Sequence, residues 1–209
     1  GVAASLVGLW APGSGPAIFK DPESGSALGI PIEAGRKLIM QVHYNTQNGV
    51  SSDRSSVALK FSTSARPVRW LLFAHALFQL LPGKAKIDTS STQGTNNILQ
   101  LTNFYETGSL GALPPARALK VFAVGPHMHT LGTAIRLEKT NGSSACLAKV
   151  PKWDFNWQTG YTYTKPLNLT ADSQMKLSCS FSTVGRTSAV TFGEGTNDEM
   201  CLAFLLAEQ

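Results

Sequence analysis

Charge is scarce in this sequence. Only 15% of its 209 residues are Asp, Glu, Lys or Arg, which excludes the charge-rich, strongly periodic composition of long helices and coiled coils. Long apolar runs are missing too: the longest, Trp70 to Phe78, is broken by His75 and falls well short of the roughly 20 residues of a membrane-spanning helix. The net charge of +5 comes from 18 basic and 13 acidic residues, and the cations are scattered singly or in the pair Arg36-Lys37. Nucleic acid is therefore offered no basic stripe with interleaved aromatics. The three cysteines, Cys146, Cys179 and Cys201, lack the C-x-x-C spacing of zinc or redox motifs, so one disulfide and one leftover thiol is the natural arithmetic. No charged and then apolar leader follows Gly1, which points to a start set by processing or truncation. Asn141-Gly142-Ser143 and Asn168-Leu169-Thr170 fit the N-glycosylation pattern and tilt the reading toward export.

What is present is a strand former's sequence. Hydrophobic residues make up 43% of the chain, enough for a sizeable core, and 19 Gly with 11 Pro supply frequent breakers. Side chains alternate between faces in Lys37 to Tyr44, in Val57, Leu59 and Phe61, from Ile98 to Tyr105, from Leu119 to Val124, from Ile135 to Glu138, and in Met175, Leu177, Cys179 and Phe181. An apolar strand is also expected over Leu202 to Ala207. Helical spacing is scarcely visible. Turn signals such as Asn48-Gly49, Leu81-Pro82-Gly83 and Asn141-Gly142 separate these runs, and many short strands between turns argue for an all-β, jelly-roll-like sandwich. A boundary near Ser64-Ala65-Arg66-Pro67 would leave residues 1–65 too short for an independent sandwich and residues 66–209 long enough for a complete one.

The chemistry available is sparse: there are four histidines, His43, His75, His127 and His129. His127 and His129 stand in Gly125-Pro126-His127-Met128-His129-Thr130-Leu131-Gly132, and in a strand residues i and i+2 share a face, so they would present neighbouring imidazoles. A metal held there needs a third ligand. Acidic residues near the pair are few, which makes a carboxylate-completed zinc or iron site less natural; Met200, in Asp198-Glu199-Met200-Cys201, would give a thioether suited to copper, especially Cu(I). Filling core space is the alternative role for Met200. Trp153, Phe155 and Trp157 read first as core and turn, alternating on one face. His75, in an apolar run, reads as a hydrogen-bonded structural histidine, and Glu194, Asp198 and Glu199 as turn residues and acceptors for ligand imidazoles.

Four ordered stretches carry a resemblance: Leu9-Trp10-Ala11-Pro12-Gly13, Met40-Gln41-Val42-His43-Tyr44, Pro126-His127-Met128-His129-Thr130-Leu131-Gly132 and Asp198-Glu199-Met200-Cys201. In that order the chain resembles the copper type II, ascorbate-dependent monooxygenases from Trp10 to about Phe204. The resemblance implies two jelly-roll-like copper domains across a cleft, with residues 1–65 as the last part of the first and 66–209 as the second. It implies that His127, His129 and Met200 hold the oxygen-binding copper, and that His43 belongs to the electron-donating copper. It further implies that Gln41 lies between the sites in an electron-transfer role and that Cys179 pairs with Cys201, leaving Cys146 free. The implied partners are dioxygen and ascorbate or another one-electron donor, and the implied setting is secreted, a secretory-pathway lumen or the periplasm.

Two departures qualify it. The family's first copper takes an adjacent His-His pair upstream of the Trp-Ala-Pro-Gly stretch, and this chain has no adjacent histidines. His43 is then an orphan ligand, and the expectation is an N-terminally incomplete piece of a two-copper enzyme, with a non-catalytic copper-binding sandwich as the alternative. Secondly, the arginine, asparagine and tyrosine that hold a peptide carboxylate in the peptide-amidating members correspond to Gly125, Leu202 and Phe204. An anion there would lose its charge-assisted bonds and its hydration, so a small apolar or aromatic substrate is expected.

Overall fold

A computed structural model describes residues 5–11, 14–42, 44, 49, 52–142, 144–195 and 197–208. In chain order the elements are β1 (Leu28–Gly29), β2 (Arg66–Pro67), β3 (Arg69–Ala74), β4 (Gln79–Leu80), β5 (Ile87–Gly94), α1 (Thr95–Thr107) and β6 (Leu119–Met128). They continue with β7 (Gly132–Lys139), β8 (Ala145–Val150), β9 (Tyr161–Leu169), β10 (Gln174–Phe181), β11 (Val190–Thr191) and β12 (Cys201–Glu208).

Two four-stranded antiparallel sheets, ordered β5-β10-β7-β8 and β3-β12-β6-β9, form a sandwich. In β10 the inward set Met175, Leu177, Cys179 and Phe181 is buried while Lys176, Ser178 and Ser180 stay partly exposed, the alternation that one covered face requires. These residues meet Leu71, Phe73, Val124, Met128, Ala203 and Leu205 of the other sheet in one core. β12 is different: it is buried on both faces. Its outward Leu202 packs with Leu72, Ala74 and, from α1, Leu101, and its outward Leu206 packs with Leu28, Val68 and Phe122. A central strand covered on both sides reads as a nearly continuous apolar run, as Leu202 to Ala207 does.

Three expectations change. Ile98 to Tyr105 is the helix α1, not a strand. Its buried residues Thr95, Ile98, Leu99 and Thr102 follow helical spacing, but half of that stripe is threonine, which hid it. Thr102 earns its burial by accepting the N–H of Leu72 at 2.8 Å and donating to the Ile98 carbonyl at 2.8 Å. The second change concerns Lys37 to Tyr44 and Val57 to Phe61, where no strand occurs among the described residues. Leu38, Met40, Tyr44 and Phe61 are all exposed there; alternation alone does not make a strand without a neighbouring strand to bond. Thirdly, Trp153, Phe155 and Trp157 lie in a turn rather than along one strand face: Trp153 is buried and the other two are exposed.

Candidate metal centre

The end of β6 and the start of β12 lie side by side. Their register sets Met128 opposite Cys201 and His127 opposite Leu202, so the next step brings His129 opposite Met200. Cross-strand neighbours in an antiparallel pair point to the same face. Met128 and Cys201 point into the core; His127, Leu202, His129 and Met200 belong to the opposite face. There the His127 and His129 rings stand 5.3 Å apart, edge to face, and half-buried Met200 packs with the cluster of Leu72, Ala74 and Leu202.

The hydrogen bonds of the two rings fix their tautomers. Nδ1 of His129 lies 2.9 Å from the main-chain carbonyl of Asp198, which can only accept, so Nδ1 carries the proton. Nδ1 of His127 lies 2.7 Å from Oε1 of Gln158, whose amide nitrogen donates to the Phe155 carbonyl at 2.9 Å. Burial, reinforced by the neighbouring His129 and opposed by the Gln158 bond, pushes His127 down to about 4, so the ring is neutral at pH 7. His127 therefore keeps an unprotonated Nε2, and both rings have Nδ1 engaged by an oxygen acceptor, the outer partner typical of metal-bound histidine. Among the described residues no three His, Cys, Asp or Glu side chains gather into a metal-holding group. Met200 shares the face of the two imidazoles, and two imidazoles with one thioether are a donor set that would suit copper.

The surrounding chain holds these groups in place. Glu199 is fully buried: its Oε2 accepts the backbone N–H of His129 at 3.0 Å and of Met200 at 3.2 Å, and its Oε1 accepts that of Leu131 at 2.5 Å. Burial raises its carboxyl above the ordinary value, against the pull of the Leu131 and His129 N–H groups. One carboxylate thus ties both strand ends together. The turn after His129 is further tightened at Gly132, where a Cβ would fall 2.8 Å from Met128 Cβ and 2.9 Å from Trp153 Cδ1. Trp153 Nε1 donates to the His129 carbonyl at 3.2 Å.

Cys179 and Cys201 form a disulfide between the central strands of the two sheets, and Cys146 is free and exposed. His75 is structural: buried, its Nε2 lies 2.6 Å from Thr89 Oγ1. Asp198 serves an imidazole, as expected of the acidic residues, but through its backbone; Glu199 serves backbone N–H groups instead. Nothing near Gln158 in the sequence hints at its partner 31 residues away. Gln41 is exposed, and His43 lies outside the described residues.

Residues 100–207 match the family model described as copper type II ascorbate-dependent monooxygenase, C-terminal domain. The chain is 26% identical over 198 residues to DBH-like monooxygenase protein 1 of Mus musculus, covering 88% of this chain and 30% of that protein. It is 25% identical over 211 residues to the Gallus gallus protein of the same name, covering 97% and 33%. To dopamine beta-hydroxylase of Canis lupus familiaris it is 21% identical over 208 residues, covering 98% and 32%. It thus spans about a third of the length of these relatives. Among solved structures, that of infectious bursal disease virus Gx strain matches 75% of this chain and 36% of its own at 9% identity, with a TM-score of 0.27. Since the matched stretch takes in more than half of the chain and contains His127, His129 and Met200, the protein belongs to the copper type II ascorbate-dependent monooxygenase family.

Proposed function

We propose that residues 66–209 are the second copper domain of an ascorbate-dependent hydroxylase and hold its oxygen-binding copper through His127, His129 and Met200. Residues 1–65 are then the last part of the first copper domain, with His43 a remnant of the electron-transfer site and Gln41 between the two. The observation that carries this reading is the pair of rings 5.3 Å apart whose Nδ1 atoms are both spent on oxygen acceptors. Copper bound there supplies the one-electron chemistry by which dioxygen, with electrons from ascorbate or a similar donor, hydroxylates a substrate C–H bond.

The chain's own part is to shape the approach. Gly125 pairs directly with Phe204, and His127 with Leu202, so the face beside the imidazoles carries the apolar side chains of Leu202 and Phe204. That favours a small apolar or aromatic substrate, whose desolvation costs little. The disulfide and the family support a secreted, secretory-lumen or periplasmic setting. A copper-binding sandwich without redox coupling is the second reading.

Titration with Cu(I) against a chromophoric chelator tests the ligand set. The expected result is close to one tight equivalent, kept in His43→Ala and lost in His127→Ala or His129→Ala. Tight binding that survives loss of His127, or a second equally tight copper, would overturn the assignment. Ascorbate-driven oxygen uptake yielding hydroxylated product, rather than peroxide alone, separates the hydroxylase from the binding protein.

A further inference from the structure

We propose that Gln158 is a positioning residue that locks His127 in the tautomer presenting a bare Nε2 on the candidate metal side. The inference rests on the copper reading only for what occupies that side; the lock itself belongs to the metal-free chain.

One amide decides the tautomer. The Phe155 carbonyl takes a hydrogen bond from the Gln158 side-chain nitrogen at 2.9 Å, and a carbonyl cannot donate, so that end of the amide must be NH2. Its oxygen then faces Nδ1 of His127 at 2.7 Å. Two acceptors do not approach so closely, so Nδ1 bears hydrogen and Nε2 of the neutral ring does not. Reversing the amide would set its NH2 against Nδ1 and its oxygen against the Phe155 carbonyl, breaking the second bond.

The backbone around Gln158 is itself held. Ser14 Oγ donates to the Gln158 carbonyl at 3.2 Å, Trp157 N–H to the Asp154 carbonyl at 3.0 Å, and Asn156 N–H to Asp154 Oδ1 at 2.9 Å. His129 offers an internal comparison: its Nδ1 acceptor is the backbone carbonyl of Asp198, which no side-chain substitution removes. Changing Gln158 should therefore alter one ring and spare the other. Gln158 is only half-buried, so its replacement need not unfold the domain.

The test is long-range 1H–15N correlation of the histidine rings in the metal-free chain, with Cu(I) affinity measured alongside. Wild type should show both His127 and His129 protonated at Nδ1. Gln158→Leu should release His127 into the other tautomer, leave His129 and the backbone amide spectrum unchanged, and weaken Cu(I) about 10- to 100-fold. Gln158→Glu, which keeps an acceptor for the ring but loses the bond to the Phe155 carbonyl, should keep Nδ1 of His127 protonated. A wild-type His127 protonated at Nε2, or a Gln158→Leu variant with unchanged tautomer, would overturn the proposal. The predicted tautomers in a chain that binds no copper would uphold the lock and refute the copper reading, so the two fail separately.

Discussion

The carbonyl of Asp198 accepts the Nδ1–H of His129 at 2.9 Å, and Met200 follows two residues later on the same turn. Ring orientation and candidate thioether ligand are therefore set by one short piece of backbone, running from the Phe192–Glu199 bridge into β12. Whatever shifts this turn moves both candidate ligands together, so small backbone changes should register in copper affinity before they register in the fold.

Glu199 is the residue whose loss should show this most clearly. A glutamine there keeps one acceptor oxygen but turns an NH2 toward backbone N–H groups that the carboxylate now satisfies. Glu199→Gln should cost about 1–3 kcal/mol in urea unfolding of the metal-free chain and weaken Cu(I) binding as well. A variant within about 0.5 kcal/mol of wild type would mean that the clasp is not needed.

The Cys179–Cys201 disulfide joins residues 22 apart in sequence, for which the chain-entropy estimate gives roughly 3 kcal/mol. It has company. Thr89 pairs with Cys179 in the β5–β10 ladder, and His75 N–H donates to the Cys201 carbonyl. The His75–Thr89 hydrogen bond thus links the sheets beside the disulfide. Cys179→Ser with Cys201→Ser should lower stability by about that amount yet leave a folded sandwich, and non-reducing peptide mapping should find Cys146 unlinked. A Cys146 disulfide would contradict the pairing.

Asp21 fastens the N-terminal segment to the sandwich by a 2.8 Å ion pair with Arg66, with Lys120 at 3.5 Å. The N–H of Glu23, opposed by burial and aided by Ser24, Arg66 and Lys120, lowers its carboxyl from 3.8 to about 2. A folded-state value below the unfolded one means stability that is present above 3.8 and lost as pH falls toward about 2. Asp21→Asn should therefore be less stable than wild type near neutral pH, with the gap closing in acid. A gap that stays constant down to about pH 2 would show that the charge is not what matters.

Much of this fold is legible in the sequence because one covered face forces alternation, as in Met175 to Phe181, and two covered faces force a continuous run, as in Leu202 to Ala207. Helix α1 was not legible because threonines stand in its buried stripe. The histidine pair could be read because strand geometry puts i and i+2 on one face. Gln158 could not, since its role depends on where the turn after Trp153 folds back. Glu199 was recognised only as an acidic neighbour, because sequence does not distinguish a carboxylate that serves backbone N–H groups from one that serves an imidazole.

The central claim is that His127, His129 and Met200 together hold copper, and X-ray absorption of the chain loaded with one equivalent of Cu(I) tests it most directly. Imidazole scattering with one sulfur neighbour is the predicted spectrum, and in Met200→Ile the sulfur contribution should vanish while the imidazole contribution remains. A wild-type spectrum without sulfur, or a sulfur signal that persists in Met200→Ile, would contradict the assignment.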